Sequence, residues 1–250
     1  MRLENKVALI TGASQGLGLA IARRFCSEGA AVFISDIQEA LGEKAAVFLS
    51  AQGGRAYFLP LDVTKESDWQ DIFARILRDK GRCDILVNNA GINIRRPIED
   101  LSGEDLDKML AVNIRGPFLG IKHALPLMRQ GGGGVIINLG SVCSLVGHRY
   151  TPEAYSTVKG ALLQLTRSVA VRYGKDNIRA NIICPSTVET AFVAEMLKNP
   201  ARREERLGEV PLGRLAKVED VAAAALFLAS DEAAFINGVA FPVDGGVTAW

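Results

Sequence analysis

Val7-Ala8-Leu9-Ile10-Thr11-Gly12-Ala13-Ser14-Gln15-Gly16-Leu17-Gly18 is the stretch on which the fold turns. The apolar run suits a strand buried on both faces. It ends in a glycine-rich turn, and helical periodicity takes over from Leu17 to Ser27. Glycines permit a tight turn and a close approach of backbone to a phosphate, while a helix amino terminus offers free N–H groups and positive dipole. The spacing differs from Gly-x-Gly-x-x-Gly, yet the physics is shared. Gly12, Ser14, Gln15, Gly16, Leu17 and Gly18 are therefore candidate contacts for a nucleotide cofactor.

Outward from this unit the same alternation repeats. Further apolar runs fall at Ala31–Asp36, Ala56–Leu59, Ile85–Asn88, Val135–Leu139, Arg179–Cys184 and Val239–Val243. Amphipathic stretches fill the gaps at Glu39–Gln52, Lys65–Lys80, Gly103–Arg129, Ala154–Tyr173 and Val218–Leu228. Strands alternating with helices predict an α/β fold, a Rossmann-type doubly wound parallel sheet of seven strands with helices on both faces. All 250 residues fit one domain, and 48% hydrophobic content supplies its core. Only Ser186 to Leu215 lacks clear periodicity. It carries four arginines, Arg202, Arg203, Arg206 and Arg214, and reads as an irregular substrate lid over about 186–215.

Charge and cysteines narrow the function. With 29 Lys and Arg against 28 Asp and Glu, and no basic stripe, nucleic-acid binding is not expected. Cys26, Cys83, Cys143 and Cys184 have neither metal-type nor disulfide spacing, so no metal is expected and a reducing compartment is. No apolar run approaches the ~20 residues of a membrane span. A polar start, Met1 to Lys6, leads straight into the first strand, so a cytoplasmic protein without a leader is expected.

Asp36 closes the second strand, where a carboxylate can accept hydrogen bonds from an adenosine ribose. A ribose phosphate there would meet like charge, at a cost of roughly 2–4 kcal/mol. Gln15 and Ile37 bring no compensating cation, so NAD is expected over NADP.

The second chemical signal is Tyr155-x-x-x-Lys159, with Ser141 at the end of the strand Val135–Leu139. Residues four apart share a helix face, so the Lys159 ammonium can sit beside the phenol and lower its pKa from about 10. That makes Tyr155 a candidate acid/base near neutral pH.

Together these residues resemble the short-chain dehydrogenase/reductase family over essentially the whole chain. The resemblance rests on Thr11-Gly12-x-x-x-Gly16-x-Gly18, Asp62-Val63, Asn88-Asn89-Ala90-Gly91, Asn113, Ser141, Tyr155-x-x-x-Lys159, and Pro185 followed by Thr190. It implies that Asp62 and Val63 hold the adenine, that Asn89, Ala90 and Gly91 support the cofactor, and that Pro185, Val188 and Thr190 lie at the nicotinamide. It also implies a catalytic tetrad: Ser141 binds the substrate oxygen and Tyr155 moves its proton. Lys159 tunes the tyrosine and binds the nicotinamide ribose, and Asn113 holds a water leading to solvent. Two features depart from the family pattern. Ser186 follows Pro185 where Gly is frequent, so a positive φ is not expected there. The interval from Ser141 to Tyr155 is also one residue longer than usual, which alters the substrate-facing loop.

The implied activity is an NAD-dependent oxidoreductase for a small secondary alcohol or ketone, with hydroxy acids and polyols among the candidates. Leu145, Val146 and Tyr150 suggest an apolar wall; Arg95, Arg96, His148 and Arg149 could meet an anion. The alternatives are an NADP-linked 3-oxoacyl or aromatic ketone reductase and a catalytically silent nucleotide-binding regulator. The resemblance further implies a homotetramer, paired through Gly103–Arg129 and Ala154–Tyr173 and through the last helix and strand. Val221 to Leu228, apolar nearly all round, and the terminal Trp250 suit burial by a neighbour.

Overall fold

The computed structural model describes residues 1–249. Trp250 lies outside them, and so does the expectation attached to it. Strands β1 (Val7–Thr11), β2 (Ala31–Asp36), β3 (Arg55–Pro60), β4 (Ile85–Asn88), β5 (Gly134–Leu139), β6 (Ile178–Pro185) and β7 (Ala240–Val243) form one sheet. Its order is β3-β2-β1-β4-β5-β6-β7, parallel throughout. The seven strands fall where the apolar runs predict them, with ends shifted by a residue or two.

Every residue of β1, β2 and β4 is buried, which explains their unbroken apolar runs. On one face, α1 (Gly16–Ser27), α2 (Glu39–Ala51) and α9 (Val218–Ala229) enclose Ile21, Phe25, Leu49, Leu226 and Leu228. On the other, α3 (Glu66–Lys80), α5 (Gly116–Gln130) and α6 (Glu153–Tyr173) enclose Trp69, Ile72, Leu119, Met128 and Val169. The chain winds outward from β1 to β3, then crosses back to β4. That reversal opens a crevice at the strands' carboxyl ends.

Three expectations change. The helix over Gly103–Arg129 is interrupted: α4 (Gly103–Leu110) passes into a π-helical turn, Ala111–Arg115, before α5. Pro117 explains the break, because it has no N–H to give the carbonyl of Asn113, its α-helical partner. The segment after β6 is not irregular. It holds α7 (Ala191–Leu197) and α8 (Pro200–Gly208), the latter capped by the Asn199 side chain on the amides of Ala201 and Arg202. Finally, the apolar surround of α9 is used within its own subunit, since Val221, Ala222, Ala225, Leu226 and Leu228 are buried against α1 and the sheet. Among the described residues no helix is long and apolar enough to cross a membrane.

Candidate active site

The crevice is a cavity of about 590 Å³ that runs from Gly12 and Asp36 at one end to Tyr155, Phe192 and Arg206 at the other. At the first end, Gly12 and Gly16 adopt φ of 62° and 60°, a region costly for other residues. A Cβ on Gly12 would stand 2.8 Å from the Ala90 Cα, and one on Gly18 2.5 Å from the Gly12 carbonyl. The turn is thus pressed against the loop after β4. Asn89 fastens it, donating through Nδ2 to the Thr11 and Gly12 carbonyls at 2.9 Å, while Thr11 Oγ1 accepts from the amides of Asn89 and Ala90. Gln15, which starts α1, makes no side-chain cap, and the first turn carries no acid, leaving its amides and positive dipole to the cavity.

Asp36 lies at the end of β2 with a carboxylate already in use. Its Oδ2 accepts from Ser14 Oγ at 2.6 Å and from the Ser14 amide at 3.3 Å; its Oδ1 accepts from the Gln38 amide. The network fixes the carboxylate at the cavity wall beside exposed Ile37. Asp62 is held similarly by Thr64, whose amide and hydroxyl both donate to Oδ1.

At the other end, Ser141 lies two residues past β5 and its Oγ accepts from the Cys143 amide at 3.3 Å. Tyr155 and Lys159 rise on the first turns of α6. Lys159 is only 4% exposed and its Nζ donates to the Leu139 carbonyl at 2.6 Å, 5.5 Å from the Tyr155 ring centroid. Burial pulls its pKa down to about 8. The phenol does not titrate as the spacing suggests: burial, aided by Cys143, raises its pKa above the ordinary value, and only Arg95 pulls it down. Desolvation outweighs the nearby Arg95 charge here.

Asn113, in the π-helical turn, has a side chain committed elsewhere. Oδ1 accepts from the Ile92 amide, and Nδ2 donates to the carbonyls of Ile92 and Met109. A Cβ on Gly91 would lie 2.8 Å from Asn113 Oδ1 and 3.7 Å from Lys159 Nζ, so these groups converge behind that glycine.

A family model described as enoyl-(acyl carrier protein) reductase matches residues 12–248. The chain belongs to the short-chain dehydrogenase/reductase family. Cyclopentanol dehydrogenase from a Comamonas species is 40% identical, over 99% of this chain and 99% of its own. A 2-(S)-hydroxypropyl-CoM dehydrogenase from Xanthobacter autotrophicus is 41% identical, over 99% and 98% respectively. Among solved structures, a gluconate 5-dehydrogenase from Burkholderia cenocepacia, in complex with NADP and tartrate, superposes with a TM-score of 0.95 at 33% identity, covering 100% of this chain and 97% of that one. As a short-chain dehydrogenase/reductase the protein is an oxidoreductase that works with a nicotinamide cofactor.

The residues present fit such a cofactor. The buried hydroxyl of Ser186 and Oδ1 of Asn93 line the cavity with no hydrogen-bond partner among the described residues, and the Gly12 turn leaves backbone open where a phosphate would lie. Gly12, Gln15, Gly16, Leu17, Asp36, Ile37, Asp62, Val63, Asn89, Ala90, Gly91, Ser141, Tyr155, Lys159, Pro185, Val188 and Thr190 all line it. Three expected residues do not: Ser14 is turned onto Asp36, Gly18 packs behind Gly12, and Asn113 stands behind Gly91. On the substrate side Arg95, His148 and Tyr150 reach the cavity, whereas Leu145, Val146, Arg96 and Arg149 do not. Ser186 stays out of the left-handed region, as its side chain requires. Ser186, Phe192 and Met196 line the cavity from the segment expected as a lid, though nothing in the sequence singled out Phe192 and Met196 within it. Asn93, in the loop after β4, lines it without a signal in the sequence.

Proposed function

We propose that this protein is an NAD-dependent dehydrogenase that exchanges a hydride between the cofactor and a small secondary alcohol or its ketone. The observation that carries this reading is the convergence of Ser141, Tyr155 and Lys159 on the wall of the cavity that begins at the Gly12 turn and Asp36. The names of the similar proteins agree, since cyclopentanol, hydroxypropyl and gluconate dehydrogenases all act on alcohols.

When bound, the nicotinamide supplies the hydride acceptor or donor and, oxidised, a positive charge. The chain supplies orientation and proton handling. Ser141 Oγ donates to the substrate oxygen and positions it against the phenol. Its raised pKa makes the protonated acid the resting form, from which Tyr155 gives its proton to a ketone; in the oxidative direction it first releases that proton to solvent and then, as the phenolate, takes one from the alcohol. Lys159, charged below about pH 8, stabilises the phenolate formed on proton release and reaches the nicotinamide ribose. Both Asn113 Nδ2 hydrogens are bonded and its Oδ1 already accepts from Ile92, so a water leading from Lys159 to solvent would sit on its main-chain carbonyl, which Pro117 leaves without an α-helical donor.

Asp36 favours NAD by accepting from a ribose hydroxyl; its three bonds from Ser14 and Gln38 leave one lone pair free, on Oδ1. A second reading, NADP, is favoured by the gluconate 5-dehydrogenase bound to NADP. Helix α7, which brings Phe192, Val193 and Met196 to the mouth, serves as a lid with α8. The assembly is a homotetramer in the cytoplasm, paired through α5 and α6, where Phe118 and Val171 present apolar side chains to solvent. The test is an NAD-reduction and NADP-reduction screen of secondary alcohols, hydroxy acids and polyols with purified protein. Turnover with one class and a higher kcat/KM with NAD is expected; silence across the panel would leave a nucleotide-binding regulator.

A further inference from the structure

Arg206 lies on α8 with its side chain 7% exposed, yet it lines the cavity. Its Nη2 donates to the Tyr150 carbonyl, and its guanidinium packs 5.1 Å from the Tyr150 ring centroid. Nη1 lies 3.4 Å from His148 Nδ1 and 3.6 Å from Glu209 Oε2. Nε has no partner. A buried guanidinium with an unsatisfied N–H costs stability unless something else meets it.

Arg95, from the loop after β4, enters the same cavity on the Tyr155 side. Its Nη1 donates to Met196 Sδ at 2.9 Å, a weak acceptor, and among the described residues no carboxylate forms an ion pair with it. The two arginines lie near enough for Arg206 to depress the Arg95 pKa, and Arg95 near enough to Tyr155 to act on the phenol. Two cations facing one cavity, Arg206 buried and Arg95 open to solvent, repel each other, so the arrangement asks for an anion between them.

The charges facing this corner are few. Among the described residues Glu209 is the single carboxylate against the pair, bound to Arg206 and to His148 Nε2 at 3.3 Å. His148 accepts at Nδ1 and donates at Nε2, the pattern of a neutral ring, and its burial favours that form. One positive charge is left over. A singly charged oxyanion matches it, and a neutral alcohol leaves it unmet.

We infer that Arg95 and Arg206 form the anion subsite of this active site, and that the substrate is a compact secondary alcohol carrying a carboxylate or sulfonate a few bonds from its carbinol. This rests on the dehydrogenase reading above and narrows its substrate class. Phe192 and Met196 then cover the carbon skeleton between the two ends.

The test compares kcat/KM for β-hydroxybutyrate, its methyl ester and hydroxypropanesulfonate in the parent, Arg95→Met, Arg206→Lys and Arg202→Met, the last an exposed arginine of α8 outside the cavity. The parent should favour an anion over the ester, and the better of carboxylate and sulfonate identifies the oxyanion. Arg95→Met and Arg206→Lys should cut the anion-to-ester ratio by about tenfold or more, through KM, the size expected of a lost charge-assisted hydrogen bond. Arg202→Met should keep it. An ester used as well as the acid, or a ratio unmoved by Arg95→Met, overturns the anion subsite while the dehydrogenase reading stands. Should no alcohol turn over, calorimetry of the NADH-loaded protein with acetoacetate decides: binding lost in Arg95→Met keeps the subsite and removes the dehydrogenase, and no binding to the parent removes the subsite.

Discussion

Lys159 Nζ donates to the Leu139 carbonyl at 2.6 Å and stands 5.5 Å from the centre of the Tyr155 ring. The two side chains share a helix face, yet the lysine's bond is to the last residue of β5, two positions before Ser141. Burial sets its ionisation, and that is measurable through stability. A lysine brought from 10.5 to about 8 on folding binds fewer protons in the folded state than in the unfolded one between those values. Stability therefore rises with pH from about 8 to about 10.5, by roughly 3 kcal/mol from this group. Tyr155 acts the other way, since its raised pKa lets the folded state keep a proton that the unfolded chain loses, and stability falls above about pH 10. Thermal unfolding of parent and Lys159→Met should show the parent gaining on the variant between about pH 8 and pH 10. A constant difference across that window would mean that Lys159 is not desolvated.

Tyr155→Phe keeps the ring and removes the proton. Turnover should fall by at least about 10²-fold, the low end for a lost general acid/base. Cofactor binding, followed by NADH fluorescence, should stay within a few-fold, because the Gly12 turn and Asp36 lie at the far end of the cavity. A near-parental kcat would remove Tyr155 from the mechanism.

Asp36→Ala removes both a candidate ribose acceptor and the partner of Ser14. The kcat/KM ratio of NAD to NADP should drop by about tenfold or more, since a carboxylate facing a phosphate costs a few kcal/mol. Ser14→Ala should cause a smaller drop of the same sign, as it only frees the carboxylate to move. Equal use of both cofactors by the parent would end the claim.

What was legible in the chain depended on how local the cause was. β1 and β2 announce themselves because both faces are buried, and the Gly12 turn because its backbone geometry restricts the residue type. Tyr155 and Lys159 were legible because one helix sets their spacing. The π-helical turn at Asn113 was not, since its cause is a missing amide at Pro117 that leaves apolar periodicity intact. Helix α8 was hidden by its charge, although Asn199-Pro200 carried the start signal. The ties of Ser14 to Asp36, of Asn89 to Gly12 and of Arg206 to Tyr150 join residues distant in sequence, and only folding puts them in contact.

The last prediction concerns assembly. Val171 on α6 is 86% exposed, and Phe118 on α5 is 54% exposed. Apolar side chains left this open on adjacent helices gain from being covered, at about 25 cal/mol per Å². Light scattering at micromolar concentration should give a tetramer mass for the parent. Val171→Asp would place a charge against a neighbouring apolar surface and should shift the population toward smaller species. The substitution sits on the outside of its own subunit, so far-ultraviolet circular dichroism should be unchanged. A monomer mass for the parent would contradict the proposal outright, and a tetramer indifferent to Val171→Asp would move the interface off α5 and α6. Removal of Ala249 and Trp250 then tests the other interface, and should weaken assembly before it alters kcat, because Ala249 does not lie among the residues lining the cavity.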